Sequence, residues 1–262
     1  MAKRSVGSTR NRNSAKRSTT RRRGAGKAGP STSETVAARR ARARRIVSGL
    51  RRTYGPVTCA LHHGSALELL VATILSAQST DQNVNRITPD LFRKYPDAAA
   101  YAQAPIEELE RDIHSTGFFR QKARSLQGAA RVILERFGGG VPDTMEDLLE
   151  LPGVARKTAN VVLGTWFEKN EGVVVDTHVG RLAQRLALTW RSRNDKDAVK
   201  IESDLMELIP RKGWTDLSHL LIRHGRQVCS ARKPQCSICS IREMCPSAGT
   251  FEEALDSPWS AD

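Results

Sequence analysis

Leu151-Pro152-Gly153-Val154-Ala155-Arg156-Lys157-Thr158-Ala159, leading through an apolar stretch to Val175-Asp176-Thr177-His178, is the segment around which the rest of the chain is organised. Before it, Thr144 to Glu150 predicts a short helix. That helix must stop at Pro152-Gly153, because proline has no amide to donate and glycine reaches backbone angles other residues avoid. After it, Ala159, Val162, Leu163 and Trp166 recur on one face at helical spacing and predict a second helix ending near Phe167. Two helices joined by a glycine turn make a helical hairpin over about 144–167. The first amides of the second helix have no partners within it and stand at the positive end of its dipole, a cradle suited to a phosphate.

Lys157 falls in that first turn. The positive end of the dipole disfavours an ammonium, and burial would act the same way, so the amine is a candidate nucleophile toward a carbonyl-like carbon. The attack requires a neighbour that takes a proton. Asp176, nineteen residues on, is the candidate, since a helix and a short return would bring it back. Taken alone, a lysine at this place is ordinarily a solvated charge. Asp176 also fits the N-cap of a helix over Val179 to Leu188, and the two roles are compatible.

The 262 residues suffice for one large or two modest domains, and their 42 Lys and Arg against 28 Asp and Glu give a net charge of +14. The distribution says more than the total. Residues 1–46 hold 15 of the bases and a single acid, Glu34, so the remainder is balanced and the basicity belongs to the N-terminal arm. No apolar run approaches about 18 residues and no secretory pattern opens the chain, which predicts a soluble protein without a membrane partner. Five cysteines, four of them near the C-terminus, point to a reducing compartment and a metal rather than to a disulfide framework.

Residues 1–30 are Ser, Thr, Gly, Arg and Lys and predict a disordered basic arm. Runs such as Arg21-Arg22-Arg23 would bind polyanions without sequence preference. The same composition suits an organelle transit peptide, so organelle or nuclear targeting stays open beside nucleic-acid contact. Ser31 and Glu34 have capping-box spacing for a helix to Tyr54, with Val36, Ala43, Val47, Leu50 and Tyr54 on one side and Arg39, Arg40, Arg42, Arg44 and Arg45 over much of the rest. Cys59, His62 and His63 lack the further ligands a metal would need. Leu67, Leu70, Val71, Ile74 and Leu75 predict a helix apolar nearly all round, which should run through the middle of a domain before a polar knot, Ser76 to Asp81.

Helices are expected over Asp81 to Lys94, broken or kinked at Pro89, and over Pro105 to His114. At Thr116-Gly117-Phe118-Phe119 the two aromatics are expected to pack, a wedge into a base stack being the functional alternative. Leu126, Ala129, Ala130, Ile133, Leu134 and Phe137 mark a helix closed by Gly138-Gly139-Gly140. Val173 to Val175 is an extended crossing segment, and helices follow over Asp197 to Ile209 and Asp216 to His224. With no strand pairs and no repeat, the chain is all-α.

Cys229, Cys236, Cys239 and Cys245 are spaced C-x6-C-x2-C-x5-C. Four thiolates so close in sequence suit a tetrahedral zinc or a four-iron cluster, and spacing does not choose between them. Arg232-Lys233 and Arg242 lie in the loops between ligands, where a metal clamp could present them to a phosphate backbone.

The hairpin segment, Val175-Asp176-Thr177-His178 and the four-cysteine loop, with Leu75-Ser76-Ala77-Gln78, Thr116-Gly117 and His224-Gly225-Arg226, together resemble the endonuclease III family over about residues 35–248. These are bifunctional DNA glycosylase/AP lyases of the helix-hairpin-helix superfamily. The resemblance implies a two-lobed helical fold: a six-helix barrel over 59–170, and a second lobe joining 31–58 to 171–248 and holding a 4Fe-4S cluster on the four cysteines. The arm and a tail over 249–262 fall outside it. Damaged double-stranded DNA would cross the groove between lobes of a monomer, with the hairpin (Gly153, Ala155, Arg156, Thr158) and Arg232 and Lys233 on its backbone. Lys157 would be the nucleophile, assisted by Asp176. Gln78 would fill the gap left by a flipped nucleotide and Phe118 would wedge the opposite strand.

The implied function is base-excision repair: removal of an oxidised pyrimidine, then strand nicking by β-elimination, in the cytoplasm and on the nucleoid if the source is bacterial. Ala155 stands where the family's hairpin usually has a second glycine, and alanine would cost about 1 kcal/mol if a positive φ were needed there. Two rivals remain. An adenine DNA glycosylase of the same fold would lack the hairpin lysine and carry a further C-terminal domain, and a non-catalytic DNA-binding scaffold would use the hairpin and arm alone.

Overall fold

The structure, a computed structural model, describes residues 34–250; the basic arm, Ser31 and nearly all of the C-terminal tail lie outside them. The described residues form eleven α-helices with short 3-10 turns and no strand. Their buried apolar side chains fall into two clusters. The first draws on residues 61–163, the second on residues 43–50 and 173–241.

The first core is built around α2 (Ala66–Leu75), against which α3 (Asp81–Lys94), α6 (Phe119–Phe137) and α8 (Arg156–Thr165) pack. Leu69, Leu70, Val71, Ala72 and Leu75 are all buried, so the absence of a polar face explains its central place. Each such leucine contributes about 1.5–3 kcal/mol by leaving water. Three short helices, α4 (Ala98–Gln103), α5 (Ile106–Asp112) and α7 (Met145–Leu149), close the periphery. The second core joins α1 (Val36–Tyr54) to α9 (Thr177–Arg185), α10 (Ala198–Leu208) and α11 (Trp214–Gln227).

Several local expectations are corrected. α1 is capped by Thr35, whose Oγ1 accepts from the Ala38 amide at 3.2 Å, while Glu34 pairs with Arg39 and Arg42. Val36 is exposed and Arg39 is buried, its guanidinium 4.9 Å from the Trp190 ring centre. α3 runs through Pro89 without a break. α4 is an additional helix, started by Asp97, which accepts from the Ala100 amide at 2.8 Å, and anchored by the fully buried Tyr101. Leu134 and Trp166, placed on apolar faces by periodicity, are partly exposed. Trp166 meets the His63 ring edge-to-face, with ring centres 6.1 Å apart.

Candidate active site and cysteine pocket

The hairpin forms as the sequence predicts: α7 stops before Pro152, Gly153 turns at φ +80°, and α8 starts at Arg156. α6 presses on this turn from beneath. A Cβ on Gly153 would lie 2.5 Å from Cβ of Ser125, and Gly128 leaves room for the Pro152 ring. Glycine at 153 is therefore required twice, for its backbone angle and for its lack of a side chain. Ala155 precedes α8 with φ −100° and ψ 168°, ordinary extended backbone, so the strain considered for alanine does not arise. No side chain caps α8, which leaves its first amides directed outward.

Between the two cores lies a cleft of about 550 Å³. Ser76, Ala77, Gln78, Lys157 and Asn160 line it from the first core, and Val174, Asp176, His219, Arg223 and Arg226 from the second. Lys157 is exposed, so the burial considered for its amine is absent, but the side chain lines this cleft rather than the outer surface. Asp176 reaches the same cleft. It caps α9, one carboxylate oxygen accepting from the Val179 amide at 2.8 Å, and the other has no hydrogen-bond partner among the described residues. Both roles read from the sequence are open to it. At one end Arg226 and Asp81 form an ion pair at 2.7 Å from opposite sides.

Gln78 and Phe118 share an unusual backbone. Gln78 has φ +54° and Phe118 φ +49°, the left-handed region that side-chain-bearing residues rarely occupy. Both are exposed. Phe118 keeps 65% of its surface in solvent, against the expectation that it packs, whereas Phe119 packs on the first core and on the His114 ring. Lys122, which sequence reasoning passed over, is buried. Its Nζ donates to the Leu75 carbonyl at 2.8 Å and the Thr116 carbonyl at 2.9 Å, and burial pushes its pKa down to about 8. Its place beside Ala123 on the buried face of α6 was the available signal. Glu202 was also missed. It is buried in α10 and binds Asn160 of α8 at 3.0 Å and Arg156 at 3.1 Å, so the Arg156 side chain turns inward and leaves its amide at the helix start.

Cys229, Cys236, Cys239 and Cys245 line a second, small pocket with Leu182, Leu186 and Ile241. Arg185 of α9 donates to Sγ of Cys229 at 3.1 Å and to the carbonyls of Ser230 and Ala231. Cys239 Sγ lies 3.5 Å from Nε2 of the buried His224, whose Nδ1 meets the Tyr54 hydroxyl at 2.7 Å. Four cysteines surround one apolar space, and cationic Arg185 lies against one of the sulfurs, a donor set that fits an anionic iron–sulfur cluster. Arg232 and Lys233 are exposed on the loop beside it.

Comparison with known proteins agrees with this geometry. The pattern of the HhH-GPD superfamily base excision DNA repair protein matches residues 71–211, and that of the iron-sulfur binding domain of endonuclease III matches 229–245. Endonuclease III of Synechocystis sp. is 54% identical over 213 residues, 81% of this chain and 95% of the relative. A non-covalent endonuclease III–DNA complex aligns with a TM-score of 0.77 at 37% identity, covering 82% of this chain and 98% of the other. A trapped endonuclease III–DNA covalent intermediate aligns at 0.75 and 36% identity, covering 82% and 98%.

Proposed function

The chain belongs to the endonuclease III family of the HhH-GPD base excision repair superfamily, and from that premise we propose which of its residues carry the reaction. It is a DNA N-glycosylase for oxidised pyrimidines with AP lyase activity, it binds DNA, and it carries a 4Fe-4S cluster. A pyrimidine that has lost its planar aromatic ring stacks poorly and is cheaper to extrude than an intact base.

Lys157 acts as the nucleophile. Its neutral amine attacks C1′ of the sugar, the glycosidic bond breaks, and its electrons leave with the base. The imine that follows acidifies the C2′ proton, whose removal expels the 3′ phosphate and nicks the strand. Asp176 takes a proton from the amine through its uncommitted oxygen and stabilises positive charge growing on the sugar. The free amides from Arg156 to Thr158, beside Gly153 and Ala155, hold a phosphate. Gln78 fills the vacated place in the stack and Phe118 wedges the opposite strand, readings supported by their exposure and backbone form.

Cys229, Cys236, Cys239 and Cys245 ligate the cluster, which supplies a clamp that holds Arg232 and Lys233 toward the DNA backbone. In lobes, 59–170 form the barrel, with the hairpin over about 144–167, and 31–58 join 171–248; each described core supports one of them. The protein acts as a monomer in the cytoplasm, and its basic arm adds sequence-independent DNA contact.

The presence of Lys157 and Asp176 on one cleft carries this reading. Borohydride reduction during reaction with an abasic duplex tests it. Wild-type protein is expected to form a covalent adduct, and Lys157→Gln to bind the duplex without one. Adduct formation or wild-type nicking by the variant would remove Lys157 from the mechanism.

A further inference from the structure

Gln78 and Phe118 sit on separate turns, the first following α2 and the second preceding α6, and each holds a left-handed backbone that needs its surroundings to fix it. Two polar side chains supply that fixing, and both reach both turns. Lys122 donates to the carbonyl of Leu75, three residues before Gln78, at 2.8 Å, and to that of Thr116, two before Phe118, at 2.9 Å. Asn83 uses one amide nitrogen for Ser79 Oγ at 3.1 Å and the Ser115 carbonyl at 2.9 Å, while Arg86 holds its oxygen at 2.7 Å.

The Lys122 ammonium is buried with no carboxylate bonded to it; its hydrogen bonds go to carbonyl dipoles, one of them at the negative end of α2. A cation left in that state is costly, and an apolar residue would fill the space more cheaply. What the ammonium adds is a pair of directed bonds to two different turns.

We propose that Lys122 and Asn83 are positioning residues that join the Gln78 turn to the Phe118 turn, so that the filling and wedging side chains enter a duplex as one body. The proposal rests on the roles assigned above to Gln78 and Phe118. Two side chains on one rigid body share their effect on the stack, and removing one devalues the other. On independent loops their effects multiply.

The test is a set of thermodynamic cycles on the full-length, cluster-loaded protein. Single-turnover base release from an oxidised-pyrimidine duplex is measured for Gln78→Ala, Phe118→Ala and their double variant, each in the wild-type, Lys122→Met and Asn83→Ala backgrounds. The double variant should be clearly faster than the product of the single losses in wild type, and should match that product in both other backgrounds. Lys122→Met and Asn83→Ala alone should lower the ratio of duplex base release to nicking of a single-stranded abasic oligonucleotide by about 10-fold, since a single strand needs neither filling nor wedging. Asn83 is only half-buried, so its variant is informative even if Lys122→Met folds poorly.

Single variants at 78 and 118 without effect on the duplex would defeat the functional reading of those residues. Effects that already multiply in wild type, coupling that survives removal of either brace, or equal losses on duplex and single strand would instead overturn the joining role of Lys122 and Asn83.

Discussion

Ala155 adopts ordinary extended backbone, so the departure from a second hairpin glycine carries no conformational penalty. Ala155→Gly is expected to leave the affinity for an abasic-analogue duplex within about twofold, and to lose up to about 1 kcal/mol of stability because glycine has more freedom to surrender on folding. Binding titrations and denaturant midpoints measure the two separately. At this scale the candidate site was largely legible: Lys157, Asp176 and the cysteines carry local chemical signatures, a lysine in a glycine-led first turn and thiols at short spacing. The side chains that support the site were not. Lys122, Asn83 and Glu202 act through contacts 47, 32 and 46 residues away, and no spacing rule reaches that far.

Among the helices, periodicity found most of those long enough to show several turns, and it placed α2 at the centre. It failed where one or two turns are set by tertiary burial, as in α4, and where an aromatic at the end of a face stays partly in solvent, as with Trp166. The polar contact between α8 and α10 rests on one carboxylate, that of Glu202. Glu202→Ala deprives the buried Asn160 amide of its acceptor and should cost about 1–3 kcal/mol in chemical denaturation. Arg156→Ala should cost under about 1 kcal/mol, because about half of that side chain is solvated and its ion pair is screened. A larger loss for Arg156 than for Glu202 would mean that the ion pair, not the buried amide, holds the hairpin to α10.

For the molecule as a whole, the cysteine pocket ties the end of the described chain to α9 through Arg181 and Arg185 and to α1 through Ile241 and Tyr54. Replacing Cys236 with serine should yield protein without the straw-brown colour of an iron–sulfur cluster and with a lower melting temperature. Absorbance and iron content report the first and calorimetry the second. A colourless wild type containing stoichiometric zinc would contradict the cofactor.

The second core is assembled from both ends of the described chain, whereas the first uses one unbroken stretch, 61–163. During synthesis the first can close while the ribosome is still working. α1, made earlier, must wait with its apolar stripe uncovered until α9, α10 and α11 emerge, a delay of roughly 10–35 seconds at about 5–20 residues per second. The earliest of the described helices is thus among the last to find its place, and chaperone attention during translation belongs there.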